Sequence, residues 1–129
     1  MKQPPTIQPA SRPGPDYDPM DSIVQDMENI QNFLSRLEMN TKDFAYLDSH
    51  LSGILGLRRT VSQHLGMLES EPYNYSPTRL TALHQENEKI FLYLEGAVGA
   101  MKSKNDREFK KFIKTAGEAL SQFDNLLTP

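Results

Sequence analysis

The sequence predicts an all-α fold: an elongated antiparallel four-helix bundle over residues 19–129, behind a Pro-rich arm, residues 1–18, expected to be disordered or extended. Three observations predict it. Apolar residues recur at alternating spacings of three and four through four segments, about 19–39, 42–69, 77–103 and 105–127. No stretch alternates polar and apolar residues as a half-buried strand would. Turn and cap residues separate the segments, and short connections join antiparallel neighbours.

The arm, "MKQPPTIQPASRPGPDYD", and Pro19 after it hold six of the nine prolines and little that could pack, so extended, polyproline-like conformers are expected. The arm contains no P-x-x-P, which argues against an SH3 ligand. If it orders on a partner, Ile7 and Tyr17 are its anchors.

The first helix opens at "DPMDSI". Asp18 suits the N-cap, Pro19 the first helical position, and Asp21 the acid-favouring first turn. Ile23, Met27, Ile30, Leu34 and Leu37 then form a narrow seam, widened by Met20, Val24 and Phe33, and Asn40 is a suitable stop. The second helix carries Phe44, Leu47, Leu51, Ile54, Leu57, Val61, Leu65 and Leu68 on one stripe. "EPYNYSP" breaks the chain, with Ser76 capping the third helix. That helix aligns Leu80, Leu83, Asn87, Ile90, Leu94, Val98 and Met101. The fourth opens with Asn105 and Glu108 at capping-box spacing and carries Phe109, Phe112, Ile113, Ala116, Leu120, Phe123 and Leu127. Helices of this length make a bundle roughly 35–40 Å long.

Composition excludes several functions. The chain has no cysteine, which removes disulfides, zinc–thiolate sites, iron–sulfur clusters and thiol nucleophiles. Its net charge of −3, split as −4 over residues 1–56 and +1 over residues 57–129, argues against a dedicated DNA-binding module. No apolar run follows the N-terminal residues as in a secretory signal, and none approaches the ~18 residues of a membrane span. The cytoplasm is the expected compartment.

"HLSGILGL", residues 50–57, sets two glycines inside a helix, where each costs about 0.5–1 kcal/mol relative to alanine. A phosphate-cradling loop would need a preceding strand and a different glycine spacing. On a helix, Ser49, Gly53, Gly56 and Thr60 form a small-residue stripe, matched on the third helix by Gly96, Ala100 and Ser103. For a hairpin turning near residue 73, opposed residue numbers sum to about 146. Tyr93 then faces Gly53, and Tyr46 faces Gly99 and Ala100, so large rings cover small residues. The rival is an open groove that receives a partner's helix.

No catalytic set assembles from the polar residues. His50, His64 and His84 lack the E-x-x-H spacing of di-iron bundles, and His84 with Glu88 gives two ligands where zinc needs more. Histidine phosphotransfer at His50 lacks a neighbouring base. Asn87 on the apolar seam of the third helix either fixes register or reaches solvent at a boundary. No metal, no cofactor and no enzymatic activity are expected. Lys110, Lys111 and Lys114, with Lys102, Lys104 and Arg107, make a basic cluster at the start of the fourth helix, either a solvated face or a surface for acidic partners.

These residues imply a non-catalytic protein–protein interaction module, a small helical adaptor or a subunit of a larger assembly. Its partner is another protein reached through a helix or groove contact, a second copy included. The candidate contact residues are Gly53, Gly56, Tyr73, Tyr75, Gly96, Tyr17, Lys110, Lys111 and Lys114. An alternative is an export chaperone of the secretion or flagellar type, which holds a partner's helix. "LHQENEKIFLYLEGAV" resembles such proteins without a diagnostic motif, and assigns no family. A second alternative uses the basic face of the fourth helix on nucleic acid or a membrane surface.

Overall fold

A computed structural model describes residues 18–39 and 44–128; the side chains of Phe44, Tyr46 and Leu47, the stop expected at Asn40 and the expectations placed on residues 1–17, including Ile7 and Tyr17, lie outside that description. Four helices follow one another: α1 (Pro19–Met39), α2 (Phe44–Met67), α3 (Pro77–Lys102) and α4 (Asp106–Leu127). Each packs on the next and α4 returns to α1, closing an antiparallel bundle. The longest, α3, has 26 residues, about 39 Å of helix at 1.5 Å per residue.

Local chemistry sets the helix starts. The backbone N–H groups of Met20, Arg79 and Glu108 donate to the side chains of Asp18, Ser76 and Asn105 at 3.0, 3.1 and 3.1 Å, each cap satisfying a donor that the helix leaves orphaned. At the end of α3 the chain turns through Lys104, whose φ of 58° is left-handed. The N–H groups of Lys104 and Asn105 donate to the carbonyls of Met101 and Ala100 at 3.1 and 2.9 Å, a Schellman stop with lysine where glycine is usual.

The core follows the four predicted seams, with additions. Ile23, Ile30, Phe33, Leu34 and Leu37 of α1 are buried, Met20 and Met27 lie half-buried, and Val24 points outward at 45 % exposed. Val61, Leu65 and Leu68 carry the seam at the C-terminal end of α2, while Leu51, Ile54 and Leu57 are only half-buried. Helix α3 buries more than one stripe. Phe91, Ala97 and Ala100 join the expected residues because α2 and α4 flank it on two sides.

Polar pairs fix the register of α2 against α3. Arg58 pairs with Glu88 at 3.2 Å, Ser62 hydrogen-bonds His84 at 3.3 Å, and Asn87, wholly buried, donates through Nδ2 to the Arg58 carbonyl at 3.2 Å. These residue numbers sum to 145 or 146, the axial register expected for this hairpin. The ring-over-glycine packing differs. Among the described residues a Cβ at Gly53 or Gly56 would meet nothing within 4 Å, and Tyr93 packs on Phe112 of α4, with ring centroids 6.5 Å apart. The packing expected of Tyr46 on Gly99 and Ala100 lies outside the described residues, since the Tyr46 side chain is not among them. The glycine that a ring covers is Gly96, where a Cβ would lie 2.5 Å from the Phe112 ring. The sum of 146 sets height along the axis, whereas the direction around α3 decides which neighbour a side chain meets.

Candidate functional site

The candidate contact residues separate into those the bundle uses for itself and those it leaves at the surface. The connection between α2 and α3 closes one end of the bundle. Tyr75 is 6 % exposed, donates its hydroxyl to the Leu127 carbonyl and meets Tyr73 edge-on, ring centroids 6.2 Å apart. Arg79 stacks over the Tyr75 ring at 4.1 Å and donates through Nε to the Leu126 carbonyl at 2.6 Å and through Nη2 to that of Thr128. Tyr73 donates to the Asp18 carboxylate, tying the start of α1 to the same end. That bond and the neighbouring negative charge stabilise the neutral phenol and push it up to about 12. Tyr73 and Tyr75 thus make contacts within the bundle at its end, and Gly96 lies beneath Phe112.

Gly53 and Gly56 lie on the exposed side of α2. Gly53 borders a shallow cleft of about 350 Å³ between α1 and α2, with Asn29, Arg36 and His50 at its edge. On the same pair of helices, burial raises the Asp26 carboxyl above its ordinary value, an effect the nearby His64 partly opposes.

The α1–α4 seam is the loosest of the four. A groove of about 790 Å³ runs along it, floored by Leu34, Phe109 and Ile113, with Gln31 and Glu38 on one bank and Lys110 and Lys114 on the other. A second hollow of about 400 Å³ continues toward the tyrosine end beside Val24, Met27, Leu120 and Asp124. Helix α4 presents to this seam a ridge of Lys110, Lys114, Gly117, Ser121 and Asp124 at spacings of 4, 3, 4 and 3. Gly117 is half-buried, and among the described residues a Cβ there would meet nothing within 4 Å.

Lys110 and Lys114 thus stand on the groove's edge, while Lys111 is exposed one position round the helix. Asp106 and Glu38 line the same groove, so its charge is of both signs. Sequence reasoning missed the groove itself. Its one trace in the chain is the ridge spacing on α4, a second periodic stripe beside the core stripe.

Among the described residues, no three His, Asp or Glu side chains are placed to hold a metal ion, and no helix is long and apolar enough to cross a membrane. His84 and Glu88 turn instead to Ser62 and Arg58. No family model, curated protein or solved structure matches this chain.

Proposed function

We propose that this chain is a non-catalytic interaction module that binds a helix of another polypeptide along the α1–α4 seam, as an adaptor or a subunit of a larger assembly. One observation carries the reading. The loosest seam of the bundle is an open groove with an apolar floor and charged banks, the form an amphipathic helix fits. The lysine bank favours an acidic flank on the incoming helix, and Val24, an exposed large apolar residue, gains cover from it.

The test is site-specific photo-crosslinking in living cells of the source. A photoreactive side chain replaces Lys114 on the groove or Gln63 on the outer side of α2. Adducts to a second polypeptide from position 114 and not from position 63 support the reading. Equal adducts from both positions, or none from 114, sink it.

A further inference from the structure

The groove's occupant is legible in the charge pattern of α4. The charged ends of the ridge are equidistant from Gly117, with Lys110 seven residues before it and Asp124 seven after, each about 10.5 Å along the axis. Both end residues are exposed, and among the described residues neither makes an ion pair within its own chain. We propose that the α1–α4 face pairs with the same face of a second copy, α4 crossing α4 in antiparallel sense about a two-fold axis at Gly117. This rests on the reading of that seam as a helix-binding surface and names its partner.

Antiparallel α4 helices centred on Gly117 oppose residues whose numbers sum to 234. Lys110 then meets Asp124 of the other copy, and two-fold symmetry makes that pair twice. Lys114 lies across from Leu120, which faces its own core, and Asp106 lies across from Thr128. No two like charges are opposed. A parallel pairing would set Lys110, Lys114 and Asp124 each against its own copy, so charge selects the antiparallel sense. Gly117 supplies the crossing point, because no side chain of its own helix stands there and, among the described residues, nothing else fills the space a Cβ would take. Val24, 45 % exposed beside the same seam, gains cover from the second copy.

Sedimentation equilibrium of the full chain tests this, with circular dichroism and urea midpoints confirming that every variant folds. The wild-type chain is expected at twice the monomer mass at low salt, dissociating as salt rises. Lys110→Glu and Asp124→Lys each weaken the dimer about tenfold, since each sets two pairs of like charges together. The double variant restores the pairs in reverse and returns the dissociation constant to within about threefold of wild type. Gly117→Gln keeps the fold and abolishes the dimer. A wild-type monomer at every concentration overturns the proposal, and so does a double variant weaker than either single one. A monomer in solution with a heterologous adduct at position 114 in cells removes the second copy and leaves the groove reading standing; a monomer with no adduct removes both.

Discussion

Gly96 and Gly56 differ only in what surrounds them, and the difference sets the sign of a substitution. A methyl at Gly96 would press on the Phe112 ring, which already rests against Tyr93. Gly96→Ala is therefore expected to destabilise the fold by about 1–3 kcal/mol, as overpacking does. A methyl at Gly56 enters open space on a helix interior. Gly56→Ala is expected to stabilise by about 0.5–1 kcal/mol, and urea titration of the two variants gives shifts of opposite sign. Tyr73 offers a spectroscopic check. Its phenol is held neutral up to about 12, so its phenolate absorbance develops well above that of an unperturbed tyrosine. Asp18→Asn removes the charge and lowers that midpoint. Since the folded value exceeds the unfolded one near 10, the stability linked to this proton is complete below pH 10 and is lost as pH rises through about 12.

Between elements, the α2–α3 seam trades stability for register. Asn87 is wholly buried, its Nδ2 meets a backbone carbonyl, and its Oδ1 has no partner among the described residues. Asn87→Leu keeps the heavy-atom branching, removes that orphaned acceptor and is expected to raise stability by about 1 kcal/mol in thermal or urea unfolding. Arg58–Glu88, more than half exposed on both sides, contributes little, and neutralising it should shift the midpoint scarcely at all. The elements themselves were legible in the chain. Asp18, Ser76 and Asn105 cap because their short polar side chains reach backbone two or three residues on, a purely local property. The axial register of α2 on α3 was legible too, since loop position determines it. The direction around each helix was not. Phe91 and Ala97 lie off the single stripe that periodicity reveals, and only the presence of α4 on a second side of α3 explains their burial. The groove was hidden for the same reason, because its banks come from α1 and α4, helices far apart in the chain. The C-terminal end of α2 also falls short of its expected place. The helix stops at Met67 rather than 69, where the Leu68 N–H donates to the Leu65 carbonyl at 3.0 Å and tightens the last turn.

For the molecule as a whole, cohesion is uneven. Helices α3 and α4 form the closest pair, fastened at one end by Tyr75 and Arg79 and interlocked midway by Phe112 over Gly96. Helix α1 rests more lightly, on α2 and across the open seam to α4. Amide hydrogen exchange should follow that order, with the slowest amides in α3 and α4 and those of α1 exchanging through a smaller opening. Uniform protection across all four helices would contradict it.

The α3–α4 hairpin also has a consequence for the order in which the molecule is made. Translation delivers α1 first, yet the helix that completes its second flank, α4, ends 88 residues after Met39. At ~5–20 residues per second that interval is roughly 4–18 s, during which the apolar stripe of α1 has at most α2 for cover. The hairpin, local in sequence, can assemble as soon as both its helices clear the ribosome and then act as a template on which the older half of the chain docks. A nascent chain stalled after α2 should be cut readily by protease, and one extended through α4 should resist. Of the bundle's two halves, the one synthesised later would be the one that folds first.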